Sequence, residues 1–146
     1  MRMAYALGLG VLVLGGCRSE GHRQACMDNL KALGNALAIY ANENFDLLPT
    51  DERLLSGLEL HAALVKAGHL TPNQTRCPHA PPDRAAYIHL PGAPPAPGGR
   101  IDPRSVLVYE HPDNHGGGGL NVLFADSHCE YMTVEAFEEV LAETKR

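Results

Sequence analysis

The chain has 146 residues, 45% of them hydrophobic and 20% charged, a mixture that suits one globular domain and leaves no room for two independent cores. Three Phe, five Tyr and no Trp beside 15 Gly and 11 Pro predict an aliphatic core with long loops, and argue against a large multilayer enzyme fold. A formal charge of −5, with no cluster of Lys and Arg, argues against nonspecific nucleic-acid binding, which needs basic side chains to displace counterions from phosphates.

Met1 and Arg2 lead into an almost unbroken apolar run from Met3 to Leu14, followed by Gly15, Gly16, Cys17 and the polar Arg18-Ser19-Glu20. A membrane span takes about 20 apolar residues, so this run is too short to cross. One basic residue, a short apolar region and small residues before a cut are the layout of a secretory signal. Leu14-Gly15-Gly16-Cys17 resembles the lipobox of bacterial lipoproteins, in which the cysteine thiol receives a diacylglycerol and cleavage makes Cys17 the first residue. The resemblance implies a signal peptide over 1–16, an anchor linker over 17–23 and a globular domain over 24–146, held at a membrane by a covalent lipid on Cys17. An ordinary cleaved signal with a chance cysteine is the other reading. Arg18, where an Asp would otherwise follow the cysteine, is similar to the pattern that sends lipoproteins to the outer membrane, facing the periplasm. Removing 1–16 takes away Arg2 alone among the charged residues and moves the charge from −5 to −6.

From Gln24 to about Asn44, Cys26, Leu30, Leu33, Leu37 and Ala41 recur at spacings of four, three, four and four, the signature of one helical stripe, with Met27, Ala38 and Ile39 widening it. Asp46 to Pro49 ends this helix, and Thr50 and Asp51 lie in a polar loop. Glu52 to Lys66 predicts a second helical segment broken at Gly57 and capped by Gly68. Nine of the 11 prolines lie between Pro72 and Pro103, a density that forbids long helix and leaves strand character only at Ala85 to Leu90. Ser105 to Glu110, Leu120 to Ala125 and His128 to Met132 predict strands, the last two joined by a two-residue turn at Asp126-Ser127. Thr133 is placed as the N-cap of a last helix from Val134 to about Thr144, with Lys145-Arg146 at its end. The order is α+β.

Three stretches together resemble the globular domain of bacterial pseudopilin-like proteins of the prepilin-type processing-associated H-X(9)-DG kind. They are Cys26-Met27-Asp28-Asn29-Leu30-Lys31-Ala32-Leu33-Gly34 running on to Tyr40-Ala41-Asn42-Glu43-Asn44 and Leu48-Pro49; Cys77-Pro78; and Tyr109-Glu110-His111-Pro112 with His115, its glycines and Asn121-Val122-Leu123-Phe124-Ala125-Asp126. The resemblance covers nearly all of 24–144 and implies a long N-terminal helix on a small antiparallel sheet, with a C-terminal helix. It also marks His115, Asn121 and Asp126 as structural motif residues. The chain departs from the pattern in having ten residues between His115 and Asp126 and Ser127 in place of the glycine. Glycine suits the positive φ of a tight turn, so Ser127 implies strain or a different turn type. At the front, the family's apolar filament-forming helix is replaced by the lipobox.

After Cys17, Cys26, Cys77 and Cys129 remain, an odd number that allows three pairings in an oxidising compartment. The resemblance favours Cys26 with Cys77, leaving Cys129 as a buried free thiol; the alternative is three reduced cysteines. His111, His115, Asp126, His128 and Cys129 fall within 19 residues and raise a zinc or calcium site, with His115, Asp126 and His128 as the weak candidate ligands. No HExxH, paired CxxC or calcium-loop motif supports it, so no metal or cofactor beyond the lipid is expected. The plainer reading has His115 and Asp126 hydrogen-bonded across the hairpin. Ser127 beside His128 lacks the GxSxG elbow of a catalytic serine, and Gly116 to Gly119 precedes a strand rather than the helix of a phosphate loop. The expected function is a non-catalytic envelope or type II secretion-associated module, with Ala80 to Pro103 exposed for partners. The alternative is a periplasmic metal-dependent hydrolase or metal-binding lipoprotein.

Overall fold

The computed structural model describes residues 16–44, 57–90, 95–96 and 100–144. The apolar run Met3 to Leu14, the helix exit Asp46 to Pro49, the loop at Thr50 and Asp51, the first part of the second helix over Glu52 to Ser56 and the basic end Lys145-Arg146 lie outside them.

Helix α1 (Gly16–Glu43) begins eight residues before the position that periodicity predicts. Its inner face is the expected stripe, with Cys26, Leu30, Leu33 and Leu37 buried. Ala38 and Ile39 do not widen that face; both are exposed, and Ala36 and Gly34 take the contact instead. A Cβ on Gly34 would stand 3.1 Å from Leu123, so the missing side chain lets α1 ride close over the sheet. Helix α2 (Leu58–Lys66) starts after Gly57 and buries Leu60, His61 and Leu64. It ends as predicted at Gly68, where the Gly68 N–H donates to Val65 and the His69 N–H to Leu64, the paired closure that a left-handed residue after the helix permits.

Six strands follow: β1 (Tyr87–His89), β2 (Pro95–Ala96), β3 (Arg100–Ile101), β4 (Val106–Glu110), β5 (Leu120–Phe124) and β6 (Cys129–Met132). β1, β4, β5 and β6 form one antiparallel sheet in the order β1-β4-β5-β6, while β2 and β3 pair separately. Helix α3 (Val134–Thr144) closes the chain, with the Thr133 hydroxyl accepting from the Ala136 N–H as the predicted N-cap. Proline-rich Ala80 to Pro103 is not exposed throughout, because β1 within it carries buried Tyr87 and His89 into the sheet.

Two cores sandwich the sheet. α1 and α2 cover one face with Leu30, Leu33, Leu60, Leu64, Val108 and Leu123. α3 covers the other, where Val106, Val122, Phe124 and Phe137 meet and Phe137 lies 4.7 Å from the Tyr109 ring. A bulge at Leu107 permits this: Val106 pairs with Phe124 and Val108 with its neighbour Leu123, so one extra residue in β4 sends the two valines to opposite faces. Strict alternation would have put both on the same side.

The β5–β6 turn is also not the expected two-residue turn. The Ser127 N–H donates to Phe124 O and the Phe124 N–H to His128 O, which makes a three-residue loop whose last residue, Ser127, holds φ at 70°. Ser127 is the one non-glycine residue with positive φ among the described residues. The longer turn still asks its last residue for a left-handed conformation, so serine stands where glycine would be free of strain.

Candidate functional site

Four chain segments converge at one end of the sheet. The α1 stripe carries Cys26 into the core with no exposure. Cys77 follows a single 3-10 turn, Pro72–Thr75, whose start is pinned by Gln74 accepting from the Thr71 N–H at 2.8 Å. The Asn29 side chain of α1 donates to Arg76 O at 3.0 Å, so the Cys77 loop is fastened to α1 beside Cys26. Glu110 is the last residue of β4, two positions after Val108 on the α1 face, and is fully buried. His115 ends a second 3-10 turn, Pro112–His115, that returns the chain over Glu110.

That second turn is held from beneath. Buried Asn114 donates to Ala86 O at 2.9 Å and accepts from Arg84 at 3.0 Å, which also pairs with Asp113 at 3.3 Å. His111 Nδ1 accepts from the Asp113 N–H at 3.3 Å. The result fixes the His115 ring against Glu110, with Nε2 at 3.1 Å from each carboxylate oxygen. The Asn121 N–H donates to the same carboxylate at 2.8 Å, and the Asn121 side chain donates to Arg23 O at 3.0 Å. Asn121 therefore ties β5 to both the carboxylate and α1.

Cys26 and Cys77 lie close together, with their sulfurs unbonded. The hydrogen bond from Cys26 lowers the Cys77 thiol, and the bond to Cys77, with burial, pushes Cys26 upward. Cys129 lies apart and half-buried against the α1-side core, where desolvation raises its thiol. Cys26, Cys77, Glu110 and His115 each offer one donor atom, all within 4.8 Å of one another. The set can chelate a cation, or its sulfurs can pair oxidatively.

The sequence-level metal trio is not brought together. His115 precedes β5 and Asp126 follows it, a separation of about 17 Å for five strand residues. Asp126 instead accepts from the His128 N–H at 3.1 Å and pairs with the His128 ring, which stacks on Phe124. The expected His115–Asp126 hydrogen bond is thereby replaced by two separate pairs, His115 with Glu110 and Asp126 with His128. The backbone hydrogen bond from His128, with its side chain, holds the Asp126 carboxyl below the usual range. His111 caps its turn and is not part of the four-residue group. Glu110 received no role from sequence alone, although an acidic residue in the buried register of a Val-rich strand was the available signal.

A groove of about 400 Å³ lies between α2 and the Pro72 to Ala86 segment, lined among others by Leu58, His61, Cys77, Pro81 and Arg84. Among the described residues, His61 Nδ1 and Arg84 Nε are buried there without hydrogen-bond partners. No helix among the described residues is long and apolar enough to cross a membrane. No family model, curated protein or solved structure matches the chain.

Proposed function

We propose that this protein is a lipid-anchored component of the bacterial cell envelope, in which a non-catalytic, pseudopilin-like α+β domain serves as a structural or interaction module, associated with secretion of the type II kind. The observation that carries the reading is the Leu14-Gly15-Gly16-Cys17 lipobox at the head of the helix that forms the core. Support comes from the run of α1 itself. It reaches back from buried Cys26, through Arg23 stacked at 4.7 Å on Tyr131, to Gly16 without a break. Cys17 lies nine positions before Cys26 on the helix, about 14 Å, so a lipid on Cys17 would hold the domain close to the bilayer rather than on a slack tether. Several acyl chains at about 0.8 kcal/mol per buried methylene make such an anchor effectively permanent. With Arg18 after the cysteine, the outer membrane facing the periplasm is the destination.

The hydrolase alternative has no geometric support, because His115 is separated by the length of β5 from Asp126 and His128. Membrane fractionation combined with co-purification tests the proposal. The wild-type protein should sediment with outer membrane and bring down envelope or secretion components, and Cys17→Ser should be released to the soluble fraction. A wild-type protein wholly in the soluble fraction contradicts it.

A further inference from the structure

We propose that Cys26, Cys77, Glu110 and His115 form a closed four-ligand site for a divalent transition metal, zinc by preference. Their donor atoms already lie within 4.8 Å of one another. In a tetrahedral zinc site, bonds of about 2.0–2.3 Å put neighbouring donors about 3.3–3.8 Å apart. The cluster therefore needs a contraction of about 1–1.5 Å at its widest, which side-chain rotation supplies without moving the backbone. Two sulfurs, an imidazole and one carboxylate suit zinc and disfavour calcium or magnesium, which take shells of oxygen.

Burial points the same way. Cys26 and Glu110 have no exposure and Cys77 has 3%. Among the described residues no Lys or Arg pairs with Glu110; His115 is its one ion-pair partner. A buried carboxylate is costly unless an opposing charge and hydrogen bonds offset its desolvation, and a divalent ion coordinated by all four groups does so. The surrounding contacts are those that orient ligands. The Asn121 N–H fixes the Glu110 carboxylate at 2.8 Å, and Asn114 locks the turn that presents His115. Exposed His79 contacts His22 at the surface and packs edge-on at 6.2 Å against the His115 ring.

No local motif announces this site, because its ligands come from α1, the Cys77 loop, the end of β4 and the Pro112–His115 turn. Four protein ligands leave no position for a reacting water, so the ion would act as a structural clamp between α1 and the sheet. A Cys26–Cys77 disulfide is the competing fate of the same sulfurs.

The test uses the whole chain, produced in a bacterial host without a His tag, extracted in detergent and loaded with cobalt(II). The expected result is one ion per chain, with a thiolate-to-cobalt charge-transfer band and the intense visible bands of a four-coordinate ion, both bleached by one equivalent of zinc. Cys77→Ser and His115→Ala should weaken binding at least about tenfold, whereas the Asp126→Asn, His128→Ala double variant should bind as wild type. The wild-type spectrum decides the matter even where a ligand variant does not fold. Absence of the charge-transfer band, loss of binding in the hairpin double variant, or an isolated mass lower by two hydrogens with Cys26 and Cys77 bonded overturns the proposal.

Discussion

Glu110 and His115 face each other in the interior, with Nε2 at 3.1 Å from both carboxylate oxygens, the Glu110 side chain fully buried and that of His115 6% exposed. Four residues separate them in sequence, and the Pro112–His115 turn folds the ring back onto the strand it has just left. The contact joins the sheet to the loop that carries the glycines.

His115→Ala leaves the carboxylate with the Asn121 N–H and without its ring partner, so in reduced, chelator-treated protein it should cost about 2–4 kcal/mol. Glu110→Gln retains an oxygen that accepts from Asn121 and should cost less, about 1–2 kcal/mol. Urea unfolding measures both. A His115→Ala variant as stable as wild type would show that the contact carries no weight.

Ser127 occupies a left-handed conformation at φ 70° at the end of the β5–β6 turn. Glycine adopts that conformation without a Cβ penalty, so Ser127→Gly should stabilise the domain by about 0.5–1 kcal/mol after the entropy it adds to the unfolded chain. The urea midpoint should rise with an unchanged slope; a fall would mean that the turn is not strained.

His61 and His89 bring their Nε2 atoms to 3.2 Å in the core, with the Tyr87 ring edge-on to His61. Burial lowers His61 to about 4, and burial together with the neighbouring His61 lowers His89 to about 3. Both rings are therefore neutral in the folded state, while the unfolded chain takes up protons near pH 6.5. Stability is full above that value and falls as the pH drops from about 6.5 toward the folded-state values, at up to about 1.4 kcal/mol per pH unit for each ring. The His61→Leu, His89→Leu double variant should flatten this limb in urea titrations between pH 6.5 and 4. An acid limb as steep as wild type would assign the dependence to other groups.

Much of the scaffold was legible because hydrophobic spacing is a local signal. The stripe from Cys26 to Leu37 placed α1 against the sheet, Gly68 marked the end of α2, and Thr133 marked the start of α3. What the pattern missed depends on pairing between strands. The Leu107 bulge decides which valine of β4 faces which core, and no residue type announces it. The start of α1 eluded periodicity because the turns before Cys26 are polar and have little to bury. For the site, proximity of Cys26 and Cys77 followed from the resemblance rather than from spacing. Glu110 joined them only once β4 and β5 were in register. His115, Asp126 and His128 looked close because they are near in sequence, yet an extended strand puts residues at its two ends far apart.

In the proposed function Cys17 carries the lipid that places this domain at the membrane. Radiolabelled palmitate, fed to cells making either the wild-type chain or Cys17→Ser, tests it most directly. Label is expected on the wild-type protein at the size of the chain lacking residues 1–16, and none on the variant. An unlabelled wild-type protein, or equal label on both, would contradict it.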